Sequence, residues 1–288
     1  MTLTVRRSTT GHTSADAHDA GTGQTPGRDR PLLDRFGAEL AAASDAPVES
    51  FSPDAIAGLP DLAQRYFLHA IQPGTPLARP VRLEMSGEMR LGAHAPWLPF
   101  EARELLAPPD GLVWEARVGN WGLSCAGADS YLHGEGRTRF RLWSLLPLVD
   151  ASGPDISRSA RGRLAGEMIW SPASLLPQWD VTWSSVDAST VCATIVVDGE
   201  AIPLELRVRE DGRLLSVRLA RWGNLTADGR YRPIPFGADA LDEQTFGGYT
   251  VPSRLAVRWW CGTDRELHFF SAEIGQAAFG ASALRLPA

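Results

Sequence analysis

The residues best able to do chemistry lie in the stretch 157–177, "SRSARGRLAGEMIWSPASLLP". Arg158, Arg161 and Arg163 lead into a lone carboxylate, Glu167; Trp170 and a proline-broken apolar run follow. On a helix, Arg163 and Glu167 share a face at ion-pair spacing. Burial raises a carboxyl pKa and a nearby guanidinium lowers it, so two readings stand side by side. Glu167 is a general acid or base tuned by Arg163, with Trp170 against the substrate. Or it is half of an Arg–Glu pair that ties a helix to a sheet, the blander origin of a perturbed carboxylate.

A second candidate is "GEGRTRFRLW" (134–143), where Arg137, Arg139 and Arg141 alternate with Thr138, Phe140 and Leu142. On a strand the three guanidinium groups share one face. They form an anion-binding row if they converge on a ligand, and a solvated outer face if they do not. Asp129 and Tyr131, just upstream, either complete a polar cluster or make a turn. Tyr249 follows Gly247 and Gly248, a pair suited to a hairpin corner; its ring either reaches a ligand or caps the core.

Other chemistry is excluded or unsupported. All 28 basic residues are arginine, so a lysine Schiff base is impossible. The formal net charge of −6 speaks against nucleic acid as a partner. No two histidines stand at metal-ligand spacing, and no metal or cofactor is expected. There is no nucleophile elbow and no dinucleotide fingerprint. Cys125, Cys192 and Cys261 are too scattered for a disulfide framework. With no signal-like leader and no span of apolar residues long enough to cross a membrane, the expectation is a cytoplasmic protein that is not membrane-spanning.

The elements that must position these residues are mostly strands. Residues 1–30 have little to bury and read as a disordered tail; 31–288 read as one globular domain. Helices are expected over 31–73: "PLLDRFGAELAAAS" (31–44), then 52–71, where Leu59, Leu62, Tyr66 and Ala70 make an apolar stripe. From 80 to 275 the period changes to two. "VRLEMSGEMRL" (81–91) alternates, as do 112–118, 179–183, 191–197, 202–208, 214–220 and 255–260. Asp110-Gly111, Asp198-Gly199, Asp211-Gly212 and Asp228-Gly229 supply hairpin turns. The fold class expected is therefore α+β: a large curved antiparallel sheet, half-barrel or barrel-like, with N-terminal helices and a helical insertion near 156–176. Gly162 and Gly166 are expected to keep that insertion short. Trp114 falls on an apolar strand face.

In this order, "LPDLAQRYFLHAI", "VRLEMSGEMRL", "WLPFEARELL", "GLVWEARV", "DSYLHGEGR", "RSARGRLAGEMIWSPASLLP", "WDVTW" and "FGGYTVPSRLAVRWW" resemble a bacterial family carrying only a domain-of-unknown-function label, over roughly residues 59–275. The architecture implied is similar to the curved half-barrel of bacterial lipoprotein carriers, which hold acyl chains, although likeness of fold does not transfer function. The functional expectation is binding of a hydrophobic small molecule, lipid- or polyketide-like, in a sheet-lined cavity, with arginines holding an acidic head group. Arg163, Trp170, Tyr131, Arg139, Trp114 and Tyr249 are the candidate ligand-binding residues. The alternative is a cofactor-independent isomerase or cyclase with Glu167, helped by Asp129, as acid or base.

Overall fold

The computed structural model describes residues 31–43, 49–120, 122–143 and 145–284; the expected tail over 1–30 lies outside them. Thirteen strands form one antiparallel sheet. In chain order they are β1 (Val81–Met89), β2 (Leu98–Ala107), β3 (Gly111–Asn120), β4 (Leu123–Leu132), β5 (Glu135–Leu142), β6 (Leu146–Ser152), β7 (Thr182–Ser185), β8 (Thr190–Val197), β9 (Glu200–Val208), β10 (Leu214–Gly223), β11 (Arg232–Phe246), β12 (Tyr249–Trp259) and β13 (Leu267–Phe279). Their spatial order is β6-β5-β4-β3-β2-β1-β13-β12-β11-β10-β9-β8-β7. Two meanders are thus joined along one seam, β1 against β13, and the open sheet ends at β6 and β7. This is the curved α+β architecture expected from the alternation.

The turns follow their chemistry. Asp198 and Gly199 both take positive φ (46° and 76°), the pair of angles that a two-residue hairpin between β8 and β9 demands. Gly247 and Gly248 form the corner between β11 and β12. Gly87 marks a close cross-strand approach: a Cβ there would sit 2.0 Å from the Ser271 carbonyl oxygen, and the bulge in this strand pair falls on β13 at Gly275, opposite Glu84 and Met85. The segment 179–183, read as a strand, enters the sheet only at Thr182. Trp179 lies in a 3-10 turn opened by Pro177 and stacks with Arg79 instead.

The helices are α1 (Leu32–Ala43), α2 (Asp61–Ala70), α3 (Pro154–Glu167) and the single turn α4 (Ala281–Leu284). They cover both faces of the sheet. Helix α2 buries Ala63, Tyr66, Phe67 and Ala70; Tyr66 and Phe67 pack on Trp183. Burying a side chain the size of Phe67 contributes roughly 1.5–3 kcal/mol. Helices α1 and α4 lie on the opposite face, where Leu33, Phe36 and Ala283 meet Leu105, Ala107 and Val113 in a separate small core.

Helix α3 fills the link between the two edge strands and packs across the inner face, touching β4, β5 and β6 on one side and β8, β9 and β10 on the other. It runs for 14 residues, so Gly162 and Gly166 do not shorten it. They let it approach the sheet. A Cβ on Gly162 would lie 3.1 Å from Cγ of Arg221, and one on Gly166 would lie 3.4 Å from a Leu219 methyl. Short 3-10 turns, two of them opened by Pro172 and Pro177, then lead the chain to β7. Among the described residues, no helix is long and apolar enough to cross a membrane.

Candidate functional site

The site begins with sheet register. Glu104 on β2 pairs with Trp114 on β3, Trp114 with Asp129 on β4, and Asp129 with Thr138 on β5. Directly paired residues point to the same face, so a carboxyl, an indole, a second carboxyl and a hydroxyl form one row across four strands. Helix α3 lays Arg163 over that row.

Each nitrogen of Arg163 then meets a different carboxylate. Its Nε donates to Glu167 Oε1 at 2.7 Å, Nη1 to Asp129 Oδ2 at 3.2 Å and Nη2 to Glu104 Oε1 at 3.4 Å. The guanidinium carbon lies 5.2 Å from the Trp114 ring centroid. Glu104 is fully buried. Burial above all, and then the neighbouring Glu167, hold its carboxyl well above the usual carboxylate range, while Arg163 pulls the other way. The Arg163 pKa is raised, its three carboxylate partners outweighing burial.

Four polar atoms here are buried without a hydrogen-bond partner: Glu104 Oε2, Glu167 Oε2, Asp129 Oδ1 and Trp114 Nε1. The neighbouring Glu167 helps raise the Glu104 value, and a proton shared between the two carboxyls would satisfy two of these atoms at once. The question posed by Glu167 thus has a geometric answer: its Oε1 is held by Arg163 and its Oε2 has no accessible surface.

Between this cluster, α3 and strands β10–β13 lies a cavity of about 240 Å³. Met85, Met89, Leu112, Trp114, Trp170 and Phe270 line it on one side; Val217, Leu219, Phe236, Ala238, Val257 and Trp259 line it on the other. The aromatic rings pack edge to face and in stacks: Phe100 on Phe270, Phe236 on Trp259. The half-exposed Asn224, Leu225 and Tyr231 lie where the cavity reaches the surface.

Three further arginines line this cavity, Arg90, Arg137 and Arg221; Arg137 is held by Asp150, and Arg90 donates to the His268 and Ala93 carbonyls at 2.7 and 2.9 Å. Arg221 on β10 donates from Nε to the Ser159 carbonyl at 3.0 Å. Its guanidinium carbon stands 4.6 Å from the ring centroid of Phe236 and 5.1 Å from that of Trp259. Among the described residues, no carboxylate lies within ion-pair distance of it. Burial, and then repulsion from Arg163, pull its pKa down to about 10.

Of the residues singled out from sequence, the structure brings Glu167, Asp129, Arg163, Trp170 and Trp114 to the cavity. It places three elsewhere. Tyr131 is buried beside the cavity wall, its hydroxyl donating to Asp198 and accepting from Arg161 Nε at 3.1 Å. Arg161 Nη1 also binds Glu200 at 2.8 Å, so this tyrosine clasps β4 to the β8–β9 turn through α3. Arg139 stands on the solvated outer face of β5 beside Asp150, the row of three arginines being an exposed surface. Tyr249 caps the core: its hydroxyl donates to the Pro76 carbonyl at 2.8 Å, accepts from the Ala78 amide at 2.9 Å, and its ring stacks on Phe279.

Glu104 and Arg221 were not singled out. Each carries one signal, a charged residue in step with apolar neighbours on an alternating strand: Phe100, Ala102, Glu104, Leu106 and Val217, Leu219, Arg221. Among the described residues no group of His, Cys, Asp and Glu is arranged to hold a metal ion; the carboxylates converge on Arg163.

The sequence profile described as "Family of unknown function (DUF6544)" matches residues 49–272. No curated protein matches the chain. Among solved structures it is similar to a LolA superfamily protein from Nitrosomonas europaea, at 9% identity and TM-score 0.42, covering 78% of this chain and 93% of that one. It is also similar to a putative outer membrane lipoprotein-sorting protein domain from Vibrio parahaemolyticus (8% identity, TM-score 0.34, 69% and 85% covered). A third is a DUF1329 family protein from Desulfovibrio piger (12% identity, TM-score 0.32, 86% and 93% covered).

Proposed function

The chain belongs to DUF6544, a family of unknown function, and we propose from its geometry that it binds a hydrophobic small molecule in the cavity beneath α3. The observation that carries this reading is the cavity itself: about 240 Å³ walled largely by methionine, leucine, phenylalanine and tryptophan side chains, with charged and polar groups set among them. Such a lining rewards removal of apolar surface from water and leaves the polar groups to fix orientation. The three cysteines are free thiols, which supports the cytoplasmic placement read from the sequence.

Native mass spectrometry of the protein purified from its host tests the reading. The wild type is expected to carry a hydrophobic mass, and Ala238→Trp, which fills the cavity from β11, is expected to lose it. An empty wild type, or the same mass retained by the variant, sinks the proposal.

The alternative of acid–base catalysis without a cofactor draws on one observation, two neighbouring carboxyls of which Glu104 is held well above the usual range. Against it, the free oxygens of both carboxyls have no accessible surface. The cavity supports binding ahead of turnover.

A further inference from the structure

We propose that Arg221 is the recognition element for a carboxylate at the head of the bound apolar molecule, so that the ligand class is a monoanionic amphiphile rather than a neutral hydrocarbon or sterol-like molecule. This rests on the binding reading above.

The argument compares what each cationic group near the cavity has left to offer. Each nitrogen of Arg163 already binds a carboxyl group, which leaves only the second N–H of each η nitrogen. An incoming acid would meet the three carboxyl groups already gathered there. Arg137, Arg139 and Arg141 are exposed on β5, and Arg90 is already engaged through Nε and Nη1 by the His268 and Ala93 carbonyls. Arg221 is different on each count. Its Nε is fixed by the Ser159 carbonyl, which orients the plane, and both η nitrogens are without a protein acceptor among the described residues. Two parallel N–H donors at the end of a fixed guanidinium match the two oxygens of one carboxylate.

The surroundings make that match selective. Phe236 and Trp259 flank the guanidinium, and α3 closes over it at Gly162. A cation so enclosed pays a desolvation cost that Glu167 and Asp129, neither within ion-pair distance, offset only in part; an anionic ligand at the η nitrogens adds to that offset on arrival. The stoichiometry favours a single negative charge. The acidic side chains of Glu167 and Asp129 already line the cavity, and a dianion would place a second, unmatched charge near them. The apolar walls then take the rest of the molecule.

The test uses the full-length protein at neutral pH, with decanoate and decanol as probes of equal chain length, and reads binding by tryptophan fluorescence and calorimetry. The wild type is expected to bind decanoate at least tenfold more tightly than decanol. Arg221→Met is expected to abolish that preference while leaving decanol affinity unchanged. Equal affinity of the wild type for both probes overturns the carboxylate assignment but leaves the hydrophobic-pocket reading intact. Failure of the wild type to bind either overturns both. Retention of the decanoate preference by Arg221→Met moves the head group to another residue and overturns the role of Arg221. The wild-type comparison stands even if the variant does not fold.

Discussion

Arg163 and Arg221 lie on the two sides of one helix and line the same cavity, yet one is surrounded by three carboxylates and the other by two aromatic rings. On the β2–β4 side, charge is buried with its partners already in place, and the cluster holds α3 against the sheet. On the β10–β12 side, charge is buried without a partner. A cation of the first kind is part of the scaffold, because removing it strands its neighbours; one of the second kind leaves its neighbours unharmed and is free to meet a ligand.

The sharpest way to break this comparison is to replace each arginine by methionine and measure urea unfolding. Arg163→Met leaves Glu104, Asp129 and Glu167 converged without a counter-charge and is expected to cost about 3–5 kcal/mol. Arg221→Met is expected to leave stability unchanged or raised, since a desolvated, uncompensated cation is removed. Equal losses in the two variants would show that both arginines are scaffold.

Next in size is the pH dependence on the carboxylate side. The folded Glu104 pKa is raised above the ordinary value of 4.5, so the folded state holds a proton that the unfolded chain releases. Its contribution to stability is full below about pH 4.5 and is lost as pH rises from there through the folded value, at up to about 1.4 kcal/mol per pH unit. Glu104→Gln, which keeps the shape and cannot ionise, is expected to remove that slope from a series of urea unfolding curves measured between pH 4 and pH 8. An unchanged slope would mean that Glu104 is ionised in the folded protein.

Gly162→Val places a branched side chain where α3 meets Arg221 and is expected to cost about 1–3 kcal/mol through overpacking and helix displacement, read as a fall in the unfolding midpoint. The smallest effect belongs to the outer row. Arg139→Ala is expected to change stability by less than about 0.5 kcal/mol and ligand binding not at all, because its side chain is 51% exposed and its carboxylate neighbour is 3.8 Å away.

How far the sequence discloses this arrangement depends on the range of the interactions involved. Alternation is local, so "VRLEMSGEM" and "IPLELRV" identify themselves as strands, and Asp198-Gly199 as the turn between two of them. The Arg163–Glu167 pair is local too, four residues apart on one helix. The rest of the cluster is not. Glu104 and Asp129 reach Arg163 only because β2, β3 and β4 pair in one register and α3 crosses above them. Nothing in a window of ten residues reports that crossing. Arg221 is harder still. Its significance lies in what is missing around it, and an absent counter-ion becomes visible only once every carboxylate of the neighbourhood has been placed. Tyr131 and Tyr249 show the converse: amphipathic rings suited to a ligand, both occupied by backbone or side-chain partners from distant segments.

The seam between β1 and β13 has a consequence for how the chain acquires its shape. Each meander zips up from adjacent hairpins, at little cost in loop closure. The seam pairs Val81 with Phe279, near opposite ends of the described chain, and such distant pairing is what slows folding. On a ribosome, β1 waits with one bare edge until β13 has emerged, a stage open to wrong strand pairing. Pulsed hydrogen exchange during refolding is expected to find the β1 amides that face β13 protected last, after those of the β8–β9 and β11–β12 hairpins. Protection of the seam at the same time as the hairpins would mean that the sheet condenses in one step.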